Sequence, residues 1–124
     1  KTSKGEYIEP LTLEQYFVNM NEIEEVCVVG LGITQPICLV QLSDIGKKLS
    51  HQEISQMLKD RLEEVNSELV NYKKISTLII VKDEWTQDNG IVGPTQKLKR
   101  GKIHDKYSSN YLKWHESDEN IIFE

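Results

Sequence analysis

Lys97 stands in a stretch whose residue types could deliver a cation to one defined place: Asn89-Gly90-Ile91-Val92-Gly93-Pro94-Thr95-Gln96-Lys97-Leu98-Lys99-Arg100. Asn-Gly marks a turn, and Pro94 interrupts regular structure, so the segment leaves the globule as a short loop. Lys97 sits on that loop, just before a basic helix start. A lysine so placed is either a solvated surface charge or an ammonium presented to an anionic reaction centre. Lysine suits the second task because it is a compact cation on a long stem. Lys97, Lys99, Arg100, Lys102 and Lys106 form one basic block, and taken alone that block reads as a solvated helix face.

The other chemistry-bearing residues are less organised. His51, His104 and His115 are scattered, with no cysteine or histidine partner at metal-ligand spacing, so no metal site is expected. Cys27 and Cys38 fall in two neighbouring predicted strands and are expected to be buried thiols rather than a disulfide.

The chain has 124 residues, enough for one domain with a modest core. Hydrophobic residues make up 38% and charged residues 28%, which places it among ordinary globular proteins. The net charge of −5 argues against general nucleic-acid binding, where a basic face supplies most of the affinity. Glu22, Glu24, Glu25, Glu116, Asp118 and Glu119 carry much of the acidity. No apolar run approaches membrane-spanning length; the stretch from Ile75 to Val81 is strand-sized. The chain begins at Lys1 without a methionine or a signal peptide. It is expected to be a piece of a longer protein, starting just past a domain boundary.

The elements that must position Lys97 follow from periodicity and punctuation. Ile8 to Pro10 reads as a short extended piece. Thr12 is expected to cap a helix from about Leu13 to Met20, with Leu13, Tyr16, Phe17 and Met20 on its core face. Val26 to Val29 and Ile37 to Leu42 read as two strands of a hairpin, joined by the turn-forming residues Gly30 to Pro36. Ser50 and Glu53 form a capping box that opens the longest helix, which runs to about Leu69 or Val70. Ile75 to Val81 is expected to be a central, buried strand. A last helix spans about Lys99 to Tyr107 and buries Ile103 and Tyr107. The tail after Ser108 is polar and expected to be loosely ordered, with Tyr111, Leu112 and Trp114 pinning part of it. This order predicts an α+β domain: a small mixed, mostly antiparallel sheet with a β-hairpin and helices packed on it.

The segment around Lys97 resembles the last motif of the adenylate-forming (AMP-binding) synthetases, in the long-chain fatty acyl-CoA synthetase version. That version reads roughly Asn-Gly-Leu-Leu-Thr-Pro-Thr-Leu-Lys-Leu-Lys-Arg. The chain keeps Asn89-Gly90, Pro94-Thr95 and Lys97-x-Lys99-Arg100, and departs at Gly93 and Gln96. Near the start, Lys1 to Pro10 with Leu13-Glu14 resembles the segment that follows the family's hinge. A third likeness runs from Asn71-Tyr72-Lys73-Lys74 through an apolar strand to Asp83-Glu84-Trp85. The three occur in the family's order and cover nearly the whole chain.

The resemblance implies that residues 1–124 are the mobile C-terminal lid of a long-chain fatty acid–CoA ligase. It assigns Lys97 as the catalytic adenylation lysine. Gly5 and Tyr7 become CoA-binding candidates, and Thr95, Arg100 and Glu14 motif-supporting residues. Gly5 and Lys97 are expected on different faces, because such a lid rotates between the two half-reactions. ATP, CoA and Mg²⁺ would serve the full-length enzyme, with none expected on this domain alone, which should be inactive. The implied partners are the chain's own N-terminal AMP-binding domain and the substrates fatty acid, ATP and CoA, with no nucleic acid. A cytoplasmic location is expected, with peripheral membrane association of the full-length enzyme left open. Two other readings stay open from the residues themselves: a small α+β ligand-sensing or regulatory domain, and an interaction module using the basic block.

Overall fold

A computed structural model of the chain describes residues 9–30, 35–70, 73–95, 97–117 and 119–124. Pro10–Glu14 form helix α1, which tightens into a 3₁₀ turn over Gln15–Phe17. Strands β1 (Ile23–Val29) and β2 (Ile37–Leu42) pair antiparallel as the expected hairpin. The short helix α2 (Asp44–Lys47) and the long helix α3 (His51–Ser67) follow, then strand β3 (Leu78–Ile80). After the loop that carries Lys97 come α4 (Arg100–Tyr107), a 3₁₀ turn, α5 (Tyr111–His115) and β4 (Ile121–Phe123).

The four strands lie in the order β1-β2-β3-β4. The class is α+β and the sheet is mixed, as the pattern predicts. Antiparallel pairing is confined to the hairpin; β2–β3 and β3–β4 are parallel. The parallel pairs arise because a helical crossover, not a tight turn, separates each of those strands from the last.

Alternation along the strands splits the core in two. Val26, Val28, Cys38, Val40, Leu78 and Ile80 face α1 and α3, whose Leu13, Ile54, Leu58, Leu62 and Val65 close the first layer. Cys27, Ile37, Leu39 and Ile79 face the other way, onto Ile103 and Tyr107 of α4 and Tyr111 and Trp114 of α5. Side chains in a strand point to opposite faces in turn. Cys27 and Cys38 are offset by one position in the register, so they enter different layers and remain free, buried thiols.

Several boundaries differ from the pattern. Thr12 caps nothing: Glu9 is the N-cap residue of α1, Pro10 opens the helix, and no side chain caps it. Proline suits the first helical position because its missing N–H would be unpaired there anyway. Pro10 therefore starts a helix instead of ending an extended piece. The helix also stops being α-helical at Glu14, yet Phe17 and Met20 still reach the core.

The capping box at Ser50 forms in both directions, Glu53 N–H to Ser50 Oγ at 3.1 Å and Ser50 N–H to Glu53 Oε1 at 3.2 Å. The helix ends at Ser67, slightly short of expectation. Asn66 near its end clamps the chain ahead of β3: its amide donates to Ile75 O and its Oδ1 accepts from Ile75 N–H, both at 2.9 Å. Ser76 N–H is bound by Pro36 O. These bonds take backbone groups that a longer strand would use, so β3 narrows to Leu78–Ile80.

The tail departs most from the pattern. α5 buries Tyr111 and Trp114, and β4 adds a fourth strand beside β3. Leu78 N–H is bound by Asn120 O at 2.8 Å and Glu124 N–H by Ile80 O at 2.9 Å.

Candidate active-site loop

The loop from Trp85 to Lys99 is built on Asn89. Its Oδ1 accepts from Thr86 N–H at 3.2 Å and Ile91 N–H at 3.1 Å, and its Nδ2 donates to Glu84 O at 2.7 Å. Thr86 Oγ1 accepts from Asn89 N–H at 3.2 Å. Gly90 follows with φ of +82°, a conformation that glycine reaches without steric cost. The Asn-Gly pair is thus more than a turn marker: the asparagine side chain holds three backbone groups. Its place beside a glycine signalled the turn, but the reach to Glu84 and Ile91 was not readable from spacing.

Past Gly90, Ile91 is buried among Trp85, Ile103 and Tyr107. Lys99 N–H donates to Ile91 O at 2.7 Å, and Val92 pairs with Leu98 in an antiparallel bridge. Gly93 N–H donates to Lys97 O at 2.8 Å. The segment is therefore a small hairpin rooted in the second core layer. Pro94 and Thr95 lie at its exposed tip, and Thr95 makes no side-chain hydrogen bond among the described residues. A Cβ built on Gly93 meets the flexible end of Lys99 at 3.4 Å and Lys97 O at 3.6 Å, ordinary contact distances. The departure from threonine at position 93 therefore leaves the loop path compatible with a side chain there.

Lys97 is exposed on the returning arm, and no carboxylate pairs with it among the described residues. The basic block divides here. Lys106 pairs with Asp83 at 3.0 Å, and Arg100 is committed to Glu14. Lys99 and Lys102 are exposed and, like Lys97, form no ion pair among the described residues.

Arg100 opens α4 and reaches Glu14 with both guanidinium nitrogens, Nη1 to Oε2 at 2.8 Å and Nη2 to Oε1 at 2.6 Å. Glu14 Oε2 also accepts from Val28 N–H at 2.8 Å. Val28 lies on β1, an edge of the sheet, and this amide points away from β2. The carboxylate thus covers a donor that an edge strand leaves open. Hydrogen bonding to Glu14 raises the Arg100 pKa above its ordinary value. Arg100 Nη1 also donates to Cys27 Sγ at 3.6 Å. Burial pushes the Cys27 thiol up to about 12, with the Arg100 charge opposing it.

Glu14 and Arg100, separately singled out from the sequence, are thus brought together. Gly5 and Tyr7 lie outside the described residues, and with them the expected two-face arrangement. Among the described residues there is no cluster of three or more His, Cys, Asp or Glu side chains able to hold a metal ion. No helix among them is long and apolar enough to cross a membrane.

A three-layer α+β unit that presents a lysine on a rooted hairpin defines the class. The chain belongs to the AMP-binding enzyme C-terminal domain family, whose family model matches residues 1–114. It is 26% identical over 123 residues to a probable acyl-activating enzyme 16, chloroplastic, of Arabidopsis thaliana, covering 86% of this chain and 17% of that protein. It is 28% identical over 117 residues to a palmitoyl-CoA ligase of Gibberella moniliformis, covering 81% and 17% respectively. The chain thus spans about one-sixth of the length of these curated relatives. The fold also matches the A-PCP didomain of a carboxylic acid reductase from Segniliparus rugosus in complex with AMP. That match has a TM-score of 0.74 and 23% identity, covering 91% of this chain and 16% of that one.

Proposed function

We propose that the chain is the mobile C-terminal lid of a long-chain fatty acid–CoA ligase and that Lys97 is its adenylation lysine. The observation that carries this is an exposed ammonium, paired with no carboxylate among the described residues, on a hairpin anchored at Asn89, Ile91 and Lys99. In the first half-reaction a fatty acid carboxylate attacks the α-phosphorus of ATP, and pyrophosphate leaves as acyl-adenylate forms. Two anionic groups approach each other in that step. A preorganised cation at the carboxylate and phosphate oxygens offsets the charge in a site closed to water. In the second half-reaction the CoA thiol attacks the acyl carbonyl and AMP leaves. The lid would by then have turned Lys97 away and brought the segment around Gly5 and Tyr7 to the CoA arm.

The palmitoyl-CoA ligase among the relatives supports a long acyl chain and a CoA acceptor. Mg²⁺ and the nucleotide base would be held by the large AMP-binding domain of the full-length protein, and the lid would add the lysine. We place the enzyme in the cytoplasm.

The test compares Lys97→Ala with Lys99→Ala in the full-length protein. Lys97→Ala should slow acyl-adenylate formation by about a hundredfold or more, the scale for losing one preorganised stabilising donor. Thioester formation from preformed acyl-adenylate should keep most of its rate. Lys99→Ala should change little, because removing a solvated charge costs little. Equal losses in the first half-reaction would show that Lys97 is only part of a basic surface.

A further inference from the structure

We infer that Glu14 is a positioning residue for Lys97, acting through Arg100 around the open edge of the sheet. The inference rests on the reading of Lys97 as the adenylation lysine.

Glu14 is the one buried charged side chain among the described residues, 7% exposed. It sits at the end of α1, whose neighbouring Leu13 belongs to the first core layer. Arg100 begins α4, whose Ile103 belongs to the second. The pair is 86 residues apart in sequence and joins the two layers past strand β1. Its two parallel hydrogen bonds fix the direction of the guanidinium as well as its distance. Glu14 Oε2 is itself held by Val28 N–H, so the acceptor cannot swing.

Arg100 is three residues beyond Lys97, and helix α4 has no side-chain cap at Lys99 to fix its start. The loop before Lys97 is held by Asn89 and by the Gly93 N–H to Lys97 O bond. After Lys97, the fixed points are the Lys99 N–H to Ile91 O bond and the Glu14–Arg100 fork. Arg100 keeps 42% of its side chain exposed, and an ion pair open to solvent on one side is a weak source of stability. What the fork supplies is a set position for the first turn of α4, and therefore for the stem from which the lysine extends. A displacement of about 1 Å at a reacting group can cost about a hundredfold in rate.

The experiment uses the full-length protein with Glu14→Gln and Arg100→Lys, each alone and each combined with Lys97→Ala. Single-turnover acyl-adenylate formation and thioester formation from preformed acyl-adenylate are measured separately. Each clamp variant should slow the first step by about tenfold or more and leave the second within about twofold. On the Lys97→Ala background the same changes should cost nothing further, because the group they position is gone. Costs that multiply on that background, or equal losses in both steps, would overturn the inference and leave Glu14 a structural residue. If Glu14→Gln no longer melts cooperatively, Arg100→Lys decides, since it keeps the charge opposite Glu14 while losing the two-point fork. Lys97→Ala that slows adenylation alongside harmless clamp variants removes this inference alone. A harmless Lys97→Ala removes the reading on which it rests.

Discussion

Trp85 and Tyr107 meet beneath the Lys97 hairpin, with the indole Nε1–H donating to the phenolic oxygen at 3.1 Å. Both side chains are buried, and they lie at the two ends of the segment that includes the hairpin and α4. Trp85 N–H is also bound, by Gln41 Oε1 at 3.2 Å, which ties the start of the loop to β2. The loop therefore emerges from a closed base.

Breaking that base should be felt as stability. Trp85→Phe keeps an aromatic ring but removes the donor and leaves a void, so it should cost about 2 kcal/mol. Tyr107→Phe leaves the indole N–H without its acceptor and should cost about 1–3 kcal/mol. Urea unfolding of the domain gives both values. Losses below about 0.5 kcal/mol for both would mean that the bond does not secure the base.

Asn89→Ala should loosen the hairpin without unfolding the domain. It frees Thr86 N–H, Ile91 N–H and Glu84 O, of which the Ile91 amide is partly buried. A cost of about 1–2 kcal/mol is expected, with faster amide hydrogen exchange confined to residues near 86–99. Exchange that rises equally across α3 would contradict this local role.

The two thiols should begin an alkaline decline in stability. Burial raises Cys27 from 9.0 to about 12 and lifts Cys38 well above the same ordinary value. Both stay protonated in the folded chain while the unfolded chain ionises. Their contribution is thus complete below pH 9 and declines as pH rises from 9 toward 12. The slope is about 1.4 kcal/mol per pH unit for each thiol held neutral. Unfolding in reductant at pH 8, 9.5 and 10.5 should show it. Cys27→Ala/Cys38→Ala should flatten the decline, even if it is less stable at pH 8. An unchanged slope would assign the decline to other groups.

Ending the chain at Ser117 should destabilise it and promote association. That truncation removes β4 and exposes the edge of β3, where Leu78 N–H and Ile80 O lose their partners. An open, apolar edge strand is a template for pairing with another copy. Light scattering and thermal melting against the full chain test this. A truncated chain that stays monomeric with an unchanged melting temperature would show that β4 is dispensable.

Local chemistry determined much of this protein. The Ser50–Glu53 box, the hairpin strands, the turn at Asn89-Gly90 and the apolar face of α4 each depend on residues a few positions apart, so spacing alone reveals them. The likeness around Lys97 and the family it implies were also legible, because that motif is contiguous. Tertiary structure decided the rest. Ile121 and Phe123 look like a short polar tail's apolar remnants until β3 offers them backbone partners. The strand at Ile75 shortens because Asn66, from a helix end, takes its amide. Glu14 and Arg100 were each legible as motif-supporting residues, but nothing in sequence reports a contact 86 residues apart. Folding two layers around β1 brings that carboxylate to that guanidinium.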